Sequence, residues 1–200
     1  MSRDCGLAGP LREKRFENFE LYARNSTALE MARKFAAEPS RKWLWIPGDN
    51  GTGKTHLLAA ICNELVTRGV PVLYAYVPKL LQWLRQGFRT QQQASMWGEN
   101  EAEAEHFDQR FRRILEVDVL LLDDLGAQQD SPWVKEQLET VFDHRYVNQL
   151  PMAITTNDSD AELRDFSARI HSRVERYEGT AKVPVQAPPY HKRLHVIGGR

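Results

Sequence analysis

The chain has 200 residues, enough for one domain with a sizeable core. Hydrophobic residues make up 42%, and 27 Lys and Arg balance 27 Asp and Glu, so no global positive field advertises nucleic acid and any such contact must be a local patch. No apolar run reaches the roughly 18 residues of a membrane span, no signal-peptide region opens the chain, and Cys5 and Cys62 lack metal-ligand spacing, so a soluble cytoplasmic protein is expected.

Strand character first appears at residues 41–48 (RKWLWIPG), which end at a Pro-Gly break. Residues 54–69 follow with Leu57, Leu58, Ile61, Cys62 and Leu65 at helical spacing and Gly69 as the stop. A second strand is predicted at 71–77, and Pro78 opens a helix running to 88. The polar, low-complexity stretch 89–100 is expected to be mobile or inserted, and 101–116 reads as a helix that turns from acidic to basic along its length. Residues 117–126 (VDVLLLDDLG) form a very apolar strand of the kind buried on both faces of a parallel sheet. Ser131-Pro132 begins a helix carrying Val134, Leu138, Val141 and Phe142 on its apolar face. A strand at 151–158 and a helix at 165–177 come next, the helix placing Phe166, Ile170, Val174 and Tyr177 together; a last short strand is predicted at 181–185. This alternation predicts an α/β three-layer sandwich, a central parallel sheet of five strands covered by helices on both faces.

Gly48-Asp49-Asn50-Gly51-Thr52-Gly53-Lys54-Thr55 fits G-x-x-x-x-G-K-[ST] and lies between a predicted strand and a predicted helix. Glycines let consecutive backbone N–H groups curl around phosphate oxygens, and the helix start adds its positive end. Lys54 would reach the β- and γ-phosphates and the Thr55 hydroxyl would ligate Mg²⁺, so a nucleoside triphosphate with Mg²⁺ is expected; His56 closes the run and is counted with it. The strand 119–124 delivers two carboxylates to the edge of the sheet where ligands bind: Asp123 to hold Mg²⁺, Asp124 to orient and deprotonate an attacking water. The doubled acid favours hydrolysis over transfer to a small-molecule hydroxyl. At the end of the next strand, the Asn157 amide can fix that water and sense the γ-phosphate. Arg169, Arg173 and Arg176 recur at i, i+4 and i+7 on the helix 165–177. Such a stripe is usually a solvated face; in an NTPase it also suits stabilising γ-phosphate charge from a neighbouring subunit, which would make a homo-oligomer part of the mechanism.

As a set, GDNGTGKTHLLAAI, LLLDDLG, ITTND and ARIHSRV, with RFENF at 15–19, resemble the AAA+ ATPases of the DnaC/DnaI helicase-loader and IstB transposition-helper group, and more distantly the DnaA initiators. The likeness spans roughly residues 15–194 and implies a P-loop NTPase of AAA+ type acting as a replicative-helicase loader in DNA replication. It implies Asn157 as the sensor residue, Arg173 as the arginine finger with Arg169 as runner-up, and Phe16 or Phe19 beside the adenine. It also implies an added helical element at about 78–113 facing single-stranded DNA, where Lys79, Arg85, Arg89, Arg110, Arg112 and Arg113 surround Trp83 and Phe111. The expected layout is a short tail at 1–14, the ATPase core at 15–187 and a basic tail at 188–200, with no full helical lid. Rival readings are an IstB-like transposition helper, a nucleotide-gated binding module and, from another class, a P-loop small-molecule kinase, which would need an acceptor pocket and an Arg-rich lid. The histidines show no convergent metal spacing, and Trp43, Trp45 and Trp133 read as core.

Overall fold

The computed structural model describes residues 5–21, 25–97 and 101–186, with side chains described throughout except at 89–97, 101–107 and 110. Five strands, β1 (Trp43–Pro47), β2 (Val72–Tyr76), β3 (Val119–Leu125), β4 (Met152–Thr156) and β5 (Thr180–Lys182), form one parallel sheet in the order β2-β3-β4-β1-β5. Among the described residues seven α-helices connect and cover them: α1 (Ser26–Ala37), α2 (Lys54–Thr67), α3 (Val77–Trp97), α4 (Glu101–Glu116), α5 (Pro132–Val147), α6 (Asp160–Phe166) and α7 (Ala168–Arg176).

The strands are apolar at nearly every position because both faces are covered. On β1 the alternation sends Leu44 and Ile46 into one core with α1 and α2, and Trp43 and Trp45 into a second core that includes residues of α3, α5 and α7. Trp43 anchors the second core, stacking on Tyr177 at 4.7 Å and meeting Phe142 edge-on at 5.7 Å, while its indole N–H donates to Leu150 O at 2.9 Å. Arg145 is buried in the same layer. It donates to Ile114 O (3.4 Å) and Leu115 O (3.0 Å) at the end of α4, to Asp118 O (3.3 Å) and to Pro151 O (2.7 Å), so one guanidinium ties a helix end to the approaches of β3 and β4. Burial lowers its pKa to about 9, which leaves it charged at physiological pH.

Several boundaries differ from those expected from the sequence. The helix predicted to end at 88 continues as α3 to Trp97, into the polar stretch expected to be mobile or inserted: residues 89–97 contain no Gly or Pro, and Gln, Arg, Ala and Met sustain a helix. The helix expected over 165–177 is two. Ser159 opens α6 with a capping box to Glu162, and Ser167 (φ −152°, ψ 106°) breaks it and caps α7 by accepting from Ile170 N–H. Residues 5–14, expected as a tail, lie along the core. Leu7 is buried, Tyr74 N–H donates to Cys5 O at 2.7 Å, and the Asn63 amide donates to Leu11 O and Lys14 O, so the outer edge of β2 is partly covered. The last predicted strand is assigned only at 180–182, yet Val183 and Val185 N–H still donate to Trp45 O and Pro47 O, both at 2.8 Å. Residues 187–200, with the expected basic tail, lie outside the described residues.

Candidate nucleotide site

The glycine loop runs from the end of β1 to the start of α2, so its backbone lies at the C-terminal edge of the sheet and leads into a helix N-terminus. Gly53 caps that helix at φ 107°, a conformation L-residues rarely adopt, and a Cβ there would lie 2.9 Å from the Phe19 ring. Lys54 is 6% exposed, and its ammonium donates to Gly48 O (2.6 Å), Asp49 O (2.8 Å) and Asn157 Oδ1 (2.7 Å). Burial lowers the Lys54 pKa, and the charges of Asp124, Asp123 and Asp49 oppose that shift. The lysine is held over the loop by acceptors and a negative field.

The acids owe their placement to an irregularity in the sheet. Leu122 pairs with Ile154 and Leu125 with Thr156, so β3 carries an extra residue relative to β4, and Asp124 within that bulge has φ 63°. In an unbroken strand successive side chains point to opposite faces. Here the bulge lets both acids serve the loop. Asp123 is 2% exposed: Oδ2 accepts from the Tyr74 hydroxyl at 2.6 Å, and Oδ1 accepts from Thr155 at 2.6 Å and Thr55 at 3.2 Å. Asp124 accepts from Asn157 Nδ2 at 2.9 Å, and its own N–H donates to Thr155 Oγ1 at 2.8 Å. Asn157 therefore bridges Lys54 and Asp124, its carbonyl taking the lysine and its amide reaching the acid.

A divalent cation fits this arrangement. Asp123 is a buried carboxylate with hydroxyl donors but no Lys or Arg in ion-pair range among the described residues, and Thr55, from the loop, already reaches it. Thr55 and Asp123 would hold the ion.

A cleft of about 570 Å³ lies over the loop, walled by residues 50–56, Asp124 and the segment carrying Lys14 and Phe19. Of the two phenylalanines considered for the adenine, Phe19 lines this cleft; Phe16 turns into the core, with Arg33 5.8 Å from its ring. His56 also lines it. Its Nε2 lies 2.9 Å from Arg15 O, to which it donates, and its ring meets Phe19 edge-on at 5.2 Å, so RFENF is fastened to the first turn of α2. A larger cleft of about 840 Å³ opens on the other side of Asp123, Asp124 and Thr55, against Tyr76, Lys79, Trp83 and Arg113. The smaller cleft is the candidate phosphate site, because it is lined by loop residues 50–55 where the larger one meets only Thr55.

Arg173 and Arg169 line neither cleft. Both face Asp143 on α5: Arg173 Nε donates to Asp143 Oδ1 at 2.8 Å, and Arg169 ion-pairs with Oδ2. Arg85 lies 5.3 Å over the Trp133 ring and Arg112 is exposed; the side chains of Arg89 and Arg110 lie outside the described residues. Tyr74, Thr155 and Asp143 were not foreseen from sequence. The signal for Tyr74 was the Tyr-x-Tyr alternation in β2, whose Tyr76 pairs in register with Asp123.

A parallel sheet in this order, with the phosphate loop after β1 and paired acids on β3 one strand removed from it, defines a P-loop NTPase of AAA+ type. Residues 11–179 match the bacterial DnaA ATPase domain, and the chain belongs to that family. It is 28% identical over 187 residues to the chromosomal replication initiator protein DnaA of Onion yellows phytoplasma (strain OY-M), covering 91% of this chain and 34% of that protein. It is 30% identical over 151 residues to the replicative helicase loader DnaC of Escherichia coli (strain K12), covering 74% of this chain and 57% of that protein. The chain thus spans about a third of the one relative and just over half of the other. The solved structure of DnaI matches with a TM-score of 0.70 at 25% identity, over 92% of this chain and 94% of that one. No helix among the described residues is long and apolar enough to cross a membrane.

Proposed function

We propose that this chain is an ATP-hydrolysing assembly factor of the helicase-loader type, binding ATP with Mg²⁺ between subunits and acting on a replicative helicase at single-stranded DNA. The observation that carries the reading is the bridge from Lys54 through Asn157 to Asp124, beside a buried Asp123 that has no cationic partner in ion-pair range among the described residues. The loop N–H groups and Lys54 bind and orient the phosphates. Thr55 and Asp123 would hold Mg²⁺, which would supply charge neutralisation to the phosphates. Asp124 accepts the proton of the attacking water, and Asn157 holds that acid in place while leaving its carbonyl on the lysine. The likeness to DnaC and DnaI supports the helicase as partner. Lys79 and Arg113, which line the larger cleft with Trp83, offer phosphate contacts and a stacking face for single strands.

The test has two arms. Lys54→Ala should lose nucleotide binding, whereas Asp124→Asn should bind ATP and stall; parent-rate hydrolysis by Asp124→Asn would overturn the base assignment. The ATP-loaded Asp124→Asn protein should then capture a hexameric helicase from its host, and recovery of a transposase with no helicase would overturn the loader reading in favour of a transposition helper.

A further inference from the structure

Asp143 sits on α5, outside both clefts, and divides its carboxylate between two arginines of α7. The two bonds differ in kind. Arg169 commits a terminal guanidinium nitrogen, Nη2, to Asp143 Oδ2. Arg173 bonds through Nε, the inner nitrogen, at 2.8 Å, so its terminal fork stays out of that bond. The Arg173 guanidinium also lies 4.5 Å from the centre of the Tyr146 ring, on the next turn of α5, which fixes its plane as Asp143 fixes its edge. Arg173 is 29% exposed at the side chain against 58% for Arg169, so Arg173 is the more enclosed of the two. A guanidinium held by Nε and by its face is aimed, and its two terminal nitrogens suit bidentate contact with a phosphate.

Resting on the proposed ATP site between subunits, and on Arg173 as the arginine finger that the family resemblance implies, we propose that Asp143, backed by Tyr146, is the positioning residue that aims Arg173 at the nucleotide of the neighbouring subunit. The same geometry selects Arg173 over Arg169 as the group that reaches the phosphate. Asp143 itself touches no nucleotide. Its contribution is the lost freedom of one side chain, and misplacing a transition-state contact by about 1 Å costs on the order of 100-fold in rate.

Mixed oligomers test this through an asymmetry that a merely structural role would not produce. Lys54→Ala subunits cannot bind ATP but can donate an arginine; Arg173→Ala subunits bind ATP but cannot donate. Their mixture should regain steady-state hydrolysis that neither shows alone. Adding Asp143→Asn to the Lys54→Ala donor should cut the regained rate by at least about 10-fold, while adding it to the Arg173→Ala acceptor should leave the rate unchanged. Asp143→Glu in the donor, which keeps the charge, should retain part of the regained rate and guards against a folding defect peculiar to the amide. Equal losses from either subunit, or none from the donor, would overturn the positioning role while leaving the trans arginine standing. No regain in the Lys54→Ala and Arg173→Ala mixture would overturn the trans reading and the positioning role with it.

Discussion

Tyr74→Phe isolates the support of Asp123, the acid proposed to hold Mg²⁺. Tyr74 is 7% exposed and packs in the α1–α2 core, so Phe keeps the ring and its contacts and deletes only the hydroxyl. Burial, then the charge of Asp123, raises the phenol pKa, so Tyr74 is the donor and Asp123 the acceptor at every working pH. A hydrogen bond to a buried charged group contributes about 2 kcal/mol, and removal leaves Asp123 Oδ2 without its partner. The loss is bounded because Oδ1 keeps the bonds from Thr155 and Thr55. For a chain of this size it corresponds to a fall in melting temperature of about 4–8 °C. The carboxylate also loses the group that orients it, and losing such an outer partner typically weakens a metal site by about 10-fold or more. Thermal melts and Mg²⁺ titrations of ATP hydrolysis read the two effects separately. A Tyr74→Phe protein with the parent's melting temperature and the parent's Mg²⁺ half-saturation would refute this account of Asp123.

Gly53→Ala should weaken nucleotide binding by about 5- to 150-fold in an equilibrium titration, since φ 107° and the Phe19 contact together strain the loop by about 1–3 kcal/mol; adding Phe19→Ala relieves the contact but not the dihedral, so full rescue would contradict the backbone argument. Asn157→Ala should slow single-turnover hydrolysis by about 100-fold while ATP affinity changes only a few-fold; an unchanged rate would remove Asn157 from the mechanism. Arg145→Met should destabilise by about 3 kcal/mol in chemical denaturation, because relief of the guanidinium's burial only partly offsets four carbonyls losing a donor; parent stability would show that those bonds are incidental. For His56, burial lowers the folded pKa below the ordinary 6.5, so the unfolded chain binds more protons as pH falls through 6.5 and stability is lost in that window. His56→Gln should flatten the fall in melting temperature below pH 6.5, and identical slopes for the two proteins would sink the assignment.

Local pattern made much of this legible in the sequence. The glycine loop, the apolar run ending in Asp123-Asp124 and the strand ending at Asn157 each occupy a few consecutive residues, and strand–helix alternation predicts a parallel sheet without any contact being known. What escaped depends on register or on the break between elements. Tyr74 meets Asp123 only because β2 and β3 pair with Tyr76 opposite Asp123. The bulge at Asp124 is a mismatch between two strands and belongs to neither alone. Phe16 and Phe19 lie three residues apart in one irregular segment, where no periodicity assigns a face. The division between α6 and α7 was written in Ser159-x-x-Glu162 and Ser167, but the apolar spacing of Phe166 and Ile170 runs across it and suggests one helix.

The position of β4 explains why a single amide can join both halves of the site. β1 carries the phosphate loop and β3 the acids, and they are not neighbours; β4 lies between them, so the residue leaving its end reaches Lys54 on one side and Asp124 on the other. Two residues beyond Asn157, Ser159 caps α6, and Ser167 then turns the chain into α7 with Arg173. On the proposed trans-acting reading, one continuous segment of roughly twenty residues carries the group that touches this subunit's phosphate and the group that touches its neighbour's. The two ends are held differently. Asn157 is exposed and bonded to groups that a nucleotide would engage, whereas α7 is packed through buried Ile170 and Val174 and held at Asp143. On the proposed function, a shift at Asn157 on hydrolysis would reach Arg173 by moving α6 and α7 as packed bodies, which is the coupling that function calls for.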